Sequence, residues 1–215
     1  SFEQVNVRGV TLNNCHGYIS NASLGYVPEC IFHCYGGEEM QLVYNNCTGI
    51  ADGVCPAVLS ALFEVKGFTV NSCKFLNNFN AGGSIQAAVY FDAAGPSNFD
   101  RIAFNNCELK STYSAAVTVT AGSSQLKDNT FTFTNCKIDG YQVGVNIGGN
   151  GGRYYFIGCD TRARAAGTVV PITYYKSAEP QEVQVIGGFA KSSTTGAATP
   201  MITNMLPRIF IGTTL

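Results

Sequence analysis

Phe131-Thr132-Phe133-Thr134-Asn135-Cys136-Lys137-Ile138 is the stretch whose reading decides the fold. From Phe133 it reads apolar, any residue, Asn, Cys, any residue, apolar. The phrase recurs at Leu12-Asn13-Asn14-Cys15, Tyr44-Asn45-Asn46-Cys47, Val70-Asn71-Ser72-Cys73 and Phe104-Asn105-Asn106-Cys107, and with Gly for Asn at Phe156-Ile157-Gly158-Cys159. Degenerate copies follow at Val185-Ile186-Gly187-Gly188 and Phe210-Ile211-Gly212-Thr213. Successive Cys positions lie 32, 26, 34, 29, 23, 29 and 25 residues apart. A fixed phrase at such variable spacing marks a solenoid whose coils carry loops of different length.

Each coil reads as three short strands. The first precedes the phrase, as in Asn6–Val10, Leu42-Val43-Tyr44 and Ile102-Ala103-Phe104. Its apolar/polar alternation is that of a half-buried strand. Phe104 and Cys107 both read as inward yet stand three apart, which strand parity forbids, so the chain must bend between them. The residue before each Cys is Asn, Ser or Gly, and Asn and Gly tolerate a left-handed backbone. That makes a tight corner, and stacked corner Asn side chains are expected to hydrogen-bond from coil to coil.

The second strand starts at the Cys, as in Cys73-Lys74-Phe75-Leu76. The third follows a variable polar loop, with Phe32, Phe63, Phe91, Val117, Val145, Ile172 and Ile202 as its inward plugs. Gly-containing turns are expected after it, including Gly148-Gly149-Asn150-Gly151-Gly152, which lacks the Lys and following helix of a phosphate cradle.

Composition agrees with a β-rich, turn-rich chain: 24 Gly, 14 Phe, 11 Tyr and only 13% charged residues in 215. A net charge of −1 without a basic run points away from nucleic acid. No apolar run reaches the ~20 residues of a membrane helix, so membrane insertion is not expected. Six of the nine Cys hold the same place in successive coils. They read as a buried ladder of free thiols rather than disulfides or a metal site. Cys30 and Cys34 point the same way in one strand, and Cys55 reads as a loop residue open to solvent. A Cys107→Ser change is expected to bury a hydroxyl without a partner, costing roughly 1–3 kcal/mol.

Three strands per coil, the Asn corner and the inward Cys, Phe and Val stacks resemble the right-handed, pectate-lyase-like parallel β-helices. The Gly/Asn/Thr-rich, low-charge style looks most like bacteriophage tailspikes. The likeness runs from about Val5 to Leu215, and residues 1–215 read as one β-helix domain. It implies an extracellular virion-tail protein, a parallel homotrimer, and a bacterial cell-surface polysaccharide as partner. The Asn-Thr-Asp and Gly-Asp-Asp strings of polygalacturonases and the Arg-rich signature of pectate lyases do not occur in this sequence.

Candidate chemistry lies on the outward residue after each third-strand plug: His33, Glu64, Asp92, Thr118, Asn146, Thr173 and Thr203. Coils stack at ~4.8 Å, which would set Glu64 and Asp92 one rung apart. Two carboxylates that close separate in pKa, giving an acid beside a base or nucleophile. Glycosidases hold such a pair ~5–5.5 Å apart when retaining and ~6.5–9.5 Å when inverting. Tyr90, Tyr35 and Lys66 flank the column, and aromatic faces suit sugar rings. The sequence thus nominates Glu64 as acid and Asp92 as base or nucleophile, with His33, Tyr35, Lys66, Tyr90 and Asn146 as substrate contacts. An inert β-helix also displays a mixed polar column. As a calcium site, Glu64 and Asp92 fall short of the ~6–8 oxygens required, so no metal or cofactor is expected.

The chain begins in a first strand and stops at Leu215 still in rhythm, without a capping helix. It reads as a piece of a longer protein, or as one whose ends partner subunits cover. Three functions remain open: a polysaccharide depolymerase (hydrolase rather than lyase), a non-catalytic glycan-binding module, and a structural rod within a fibre.

Overall fold

The computed structural model describes residues 2–5, 8–20, 30–35, 41–62, 65–79, 87–93, 99–165, 171–174, 182–192 and 208–211. Among them are twenty strands and no helix. In chain order the strands are β1 (Phe2–Val5), β2 (Thr11–Asn13), β3 (His16–Ile19), β4 (Cys30–Tyr35), β5 (Leu42–Asn45), β6 (Thr48–Ala51), β7 (Ala57–Leu62), β8 (Val65–Asn71), β9 (Lys74–Asn77), β10 (Ala87–Ala93), β11 (Phe99–Asn105), β12 (Glu108–Ser111), β13 (Val117–Thr134), β14 (Lys137–Gly140), β15 (Val145–Ile157), β16 (Asp160–Ala163), β17 (Ile172–Tyr174), β18 (Glu182–Ile186), β19 (Phe189–Ser192) and β20 (Arg208–Ile211).

Every pairing is parallel and joins a strand to its counterpart one coil away. The chain is therefore a parallel β-helix with three strands per coil. The first face carries β2, β5, β8, β11, β18 and β20, and the second carries β3, β6, β9, β12, β14, β16 and β19. The third carries β1, β4, β7, β10 and β17. Strands β13 and β15 run round the corner from the third face to the first and join the two into one thirteen-stranded network. The segment 148–152, expected as a turn, is thus part of a strand that bends at Gly152 (φ 81°). In the first coil the strand is Thr11–Asn13, beyond the expected 6–10.

The corner before each Cys is as expected. Asn14, Asn46, Ser72, Asn106, Asn135 and Gly158 all have φ between 51° and 64°. Each donates its backbone N–H to the next coil, as from Asn106 to Thr134 O at 2.9 Å. The side-chain ladder, however, sits one residue earlier. Asn45 Nδ2 donates to Asn13 Oδ1 at 2.8 Å, Asn71 to Asn45 at 2.9 Å and Asn105 to Asn71 at 3.0 Å. The corner side chains themselves are exposed, because the left-handed bend swings them off the sheet. A second left-handed column, Gly9, Gln41, Gly67 and Arg101, turns the chain into the first face.

All nine cysteines are free. The ladder thiols reach the preceding coil: Cys73 Sγ donates to Tyr44 O at 3.6 Å, Cys107 to Val70 O at 3.4 Å and Cys136 to Phe104 O at 3.3 Å. A residue at Cys107 therefore has a carbonyl partner, contrary to the expectation for a serine there. Cys55 is fully buried and donates to Ala57 O at 2.8 Å, so it is no solvent-facing loop thiol. Burial pushes the Cys34, Cys55 and Cys73 thiols up to about 12.

The core is stacked rung upon rung. Phe104, Phe133 and Phe156 lie face to face at 5.3 and 5.1 Å, and Phe131 lies on Tyr154 at 5.0 Å. Each ring buries roughly 1.5–3 kcal/mol of apolar surface, and such pairs add about 0.5–1.5 kcal/mol. Where Phe32 enters, the second face supplies Gly49. A Cβ there would stand 2.4 Å from Val58 Cγ1 and 3.1 Å from Phe32 Cε2.

Candidate functional site

The third face shows where the pairing register departs from expectation. Its inward plugs are Phe32, Leu59, Val89, Val117, Val145 and Ile172. Phe91 belongs to a second inward column with Ala61 and Val119. Phe63, Ile202 and Thr203 lie outside the described residues, as does Glu64.

Two outward columns result. One runs His33, Ser60, Tyr90, Thr118, Asn146, Thr173. The other runs Tyr35, Leu62, Asp92, Thr120, Gly148. The rung neighbours of Asp92 are therefore Leu62 and Thr120, not Glu64 and Thr118. The structure gathers His33, Tyr90 and Asn146 on one column and sets Asp92 and the backbone of Tyr35 on the adjacent one. Lys66 stands round the corner at the start of β8, level with Asp100.

Tyr90, Asp92 and Thr120 form one hydrogen-bonded group. Thr120 Oγ1 donates to Asp92 Oδ1 at 3.2 Å and lies 3.1 Å from the Tyr90 hydroxyl. The carboxylate can only accept, so when Thr120 gives it its single proton, the Tyr90 hydroxyl is the donor in the second contact. Burial, with the Asp92 charge adding to it, holds the Tyr90 hydroxyl above its usual range. Tyr90 is therefore a protonated donor at neutral pH. Ser60 and Thr118 point outward but are only 6% and 4% exposed, and the half-buried Tyr90 stands between them. Thr120 and Ser60 were not singled out from the sequence. The doublets Ala57-Val58, Ala87-Ala88 and Ala115-Ala116 hold the signal that would have found them. Ala57 and Ala87 share one register position, and each doublet opens or precedes the strand that carries these positions.

Among the described residues, no three His, Cys, Asp or Glu side chains gather as a metal would need. Several charges on the second face pair with each other. Lys74 and Lys137 flank Glu108 at 3.1 and 3.8 Å, and Asp160 pairs with Arg162 at 2.8 Å. Arg162 also lies over the Phe189 ring at 5.5 Å. Arg164 Nε donates to Asp139 Oδ1 at 2.6 Å and its Nη2 to Ser111 O at 2.7 Å, pinning three coils together.

Comparison of the chain with protein-family models, with curated proteins and with solved structures finds no match in any of the three. What the third face can do chemically follows from its own side chains. A tyrosine ring offers a platform, a carboxylate accepts hydroxyl protons, and hydroxyls and an amide lie in line along the coil axis.

Proposed function

We propose that the chain is the β-helix of a tailspike-like protein, and that its third face is the floor of a site for a bacterial cell-surface polysaccharide. The observation that supports this reading best is the Tyr90–Thr120–Asp92 group. It sets a half-buried tyrosine beside a carboxylate on outward columns that also hold Asn146 and Thr120. Sugar rings pack their C–H faces on aromatic rings, and their hydroxyls donate to carboxylates. In the depolymerase form of the proposal, Asp92 is base or nucleophile and Glu64 the acid of a glycosidase. His33 and Asn146 contact the sugar along the Tyr90 column, with Tyr35 and Lys66 at its margin.

A second reading, a non-catalytic glycan-binding module, is favoured by one specific observation: the rung neighbours of Asp92 are Leu62 and Thr120. One experiment separates the two. The protein is incubated with capsule and O-antigen preparations, and new reducing ends and unsaturated-sugar absorbance are followed. If it is a hydrolase, reducing ends appear without the absorbance, and Glu64→Gln and Asp92→Asn each slow turnover by ~10²–10⁴ with the fold intact. Binding without cleavage, abolished by Tyr90→Ala, selects the binding module. Full activity in both carboxylate variants removes the third face as the catalytic site. Sedimentation of the intact protein tests the proposed trimer.

A further inference from the structure

We infer that the third face takes an uncharged polysaccharide and rejects polymers of uronic, sialic or phosphorylated sugars. This rests on the glycan reading of that face and names its substrate class. Among the described residues, the strands of the face carry two formal charges, Glu3 on β1 and Asp92 on β10, and both are acidic. The third-face portions of β13 and β15, Val117–Ala121 and Val145–Gly148, add none. Among the described residues, no Lys or Arg lies on a third-face strand. Glu3 holds the register position beside His33, so both acids belong to the outward columns that include Tyr90 and Thr120.

An anionic sugar is gripped most strongly by a cation, most often the fork of an arginine. Two bases, Lys66 and Arg101, stand at the corner into the first face. Arg101 pairs with Asp100 at 3.2 Å, and Lys66 is level with Asp100 on the neighbouring rung. A sugar carboxylate laid on Tyr90 would lie about two residue rises, ~6.6 Å, along the strand from Asp92. Like charges at that distance repel, and among the described residues of the face no Lys or Arg offsets them. Neutral hydroxyls meet the opposite situation. Asp92 keeps acceptor capacity beyond its bond from Thr120, and Asn146 can both give and accept. A consequence for reaction class follows. Elimination by a lyase acts on uronate units, so a polymer without them leaves hydrolysis, or binding alone.

The test measures binding of the intact chain by affinity electrophoresis. The neutral probes are dextran, mannan and galactan, and the anionic probes are polygalacturonate, alginate and polysialic acid. Each is run at pH 8 and at about 0.01 M and 0.15 M ionic strength, between which exposed charges go from strongly to weakly felt. The expected result is retention by a neutral polymer, lost in Tyr90→Ala and nearly independent of salt. Anionic polymers should bind at least about tenfold more weakly at low salt, a gap that Asp92→Asn narrows. An anionic polymer bound more tightly than every neutral one, weakened by salt and lost in Tyr90→Ala, overturns this inference and leaves the glycan site standing. Retention that Tyr90→Ala does not touch, or no retention by any probe, removes the glycan reading of the face and this inference with it.

Discussion

Replacing Asn71 by alanine tests the device that ties the first four coils together. Asn71 Nδ2 donates to Asn45 Oδ1 at 2.9 Å, and its Oδ1 accepts from Asn105 Nδ2 at 3.0 Å. A neutral hydrogen bond contributes a net ~0.5–1.5 kcal/mol, so losing both should cost about 1–3 kcal/mol. The orphaned Asn45 and Asn105 groups are half-buried and can recover part of that from water. Asn105→Ala should cost about half as much, because the next residue on its column is Thr134 and the described ladder ends there. The neighbouring Asn106 sits at φ 54° with its side chain exposed. Asn106→Ala should cost about 1–2 kcal/mol through left-handed strain, whereas glycine enters that region without steric cost and Asn106→Gly should be close to neutral. Unfolding in guanidinium, followed by tyrosine fluorescence because the chain has no Trp, gives midpoints and rates for each variant. Coils that touch only their neighbours can unfold in segments, so rates and midpoints are compared together. An Asn71→Ala variant as stable as the parent, or an Asn106→Gly variant as damaged as Asn71→Ala, would refute the assignment of the ladder.

Three further outcomes are expected. Gly49→Ala should lose about 1–3 kcal/mol by overpacking against Val58 and Phe32, and Val58→Ala in the same chain should recover part of it in a double-mutant cycle. The thiols other than the partly buried Cys15 should resist a thiol reagent in native buffer and react in denaturant. Folded Cys34, Cys55 and Cys73 keep their protons up to about 12 against 9.0 for a free thiol. The unfolded chain thus ionises first, and stability should fall as pH climbs from about 9 towards 12. Cys107→Ser should cost about 1 kcal/mol rather than more, since the hydroxyl inherits the Val70 and Asn105 carbonyls as partners; a loss above about 3 kcal/mol would mean it cannot reach them.

How far the sequence reached is clearest from pairs of residues. Phe104 and Cys107, inward yet three apart, require a corner, and only a left-handed residue makes so tight a bend. The Asn, Ser and Gly positions before each Cys were legible for that reason, and with them the three-strand coil. The Asn ladder was legible as chemistry but not as position. Asn105 and Asn106 are adjacent and chemically identical, and only the geometry of the bend decides which side chain stays on the sheet. Cys55 misled because a residue between strands reads as loop, while its burial comes from the coils around it.

The candidate site depended on register, and there a period of two is blind. Aligning Phe32 with Phe63 and Phe91 keeps every side chain on its correct side of the sheet, because the errors relative to Leu59 and Val89 are four and two residues. Both are even, so alternation alone cannot detect them. The sequence by itself thus determined the solenoid, the corner, the inward thiols and which residues face out. Only the tertiary structure decided which outward residues share a rung. Stacking of the small Ala57 and Ala87 positions, and of the cores behind them, pulls each strand into one register along its neighbour. That places Thr120 rather than Glu64 beside Asp92.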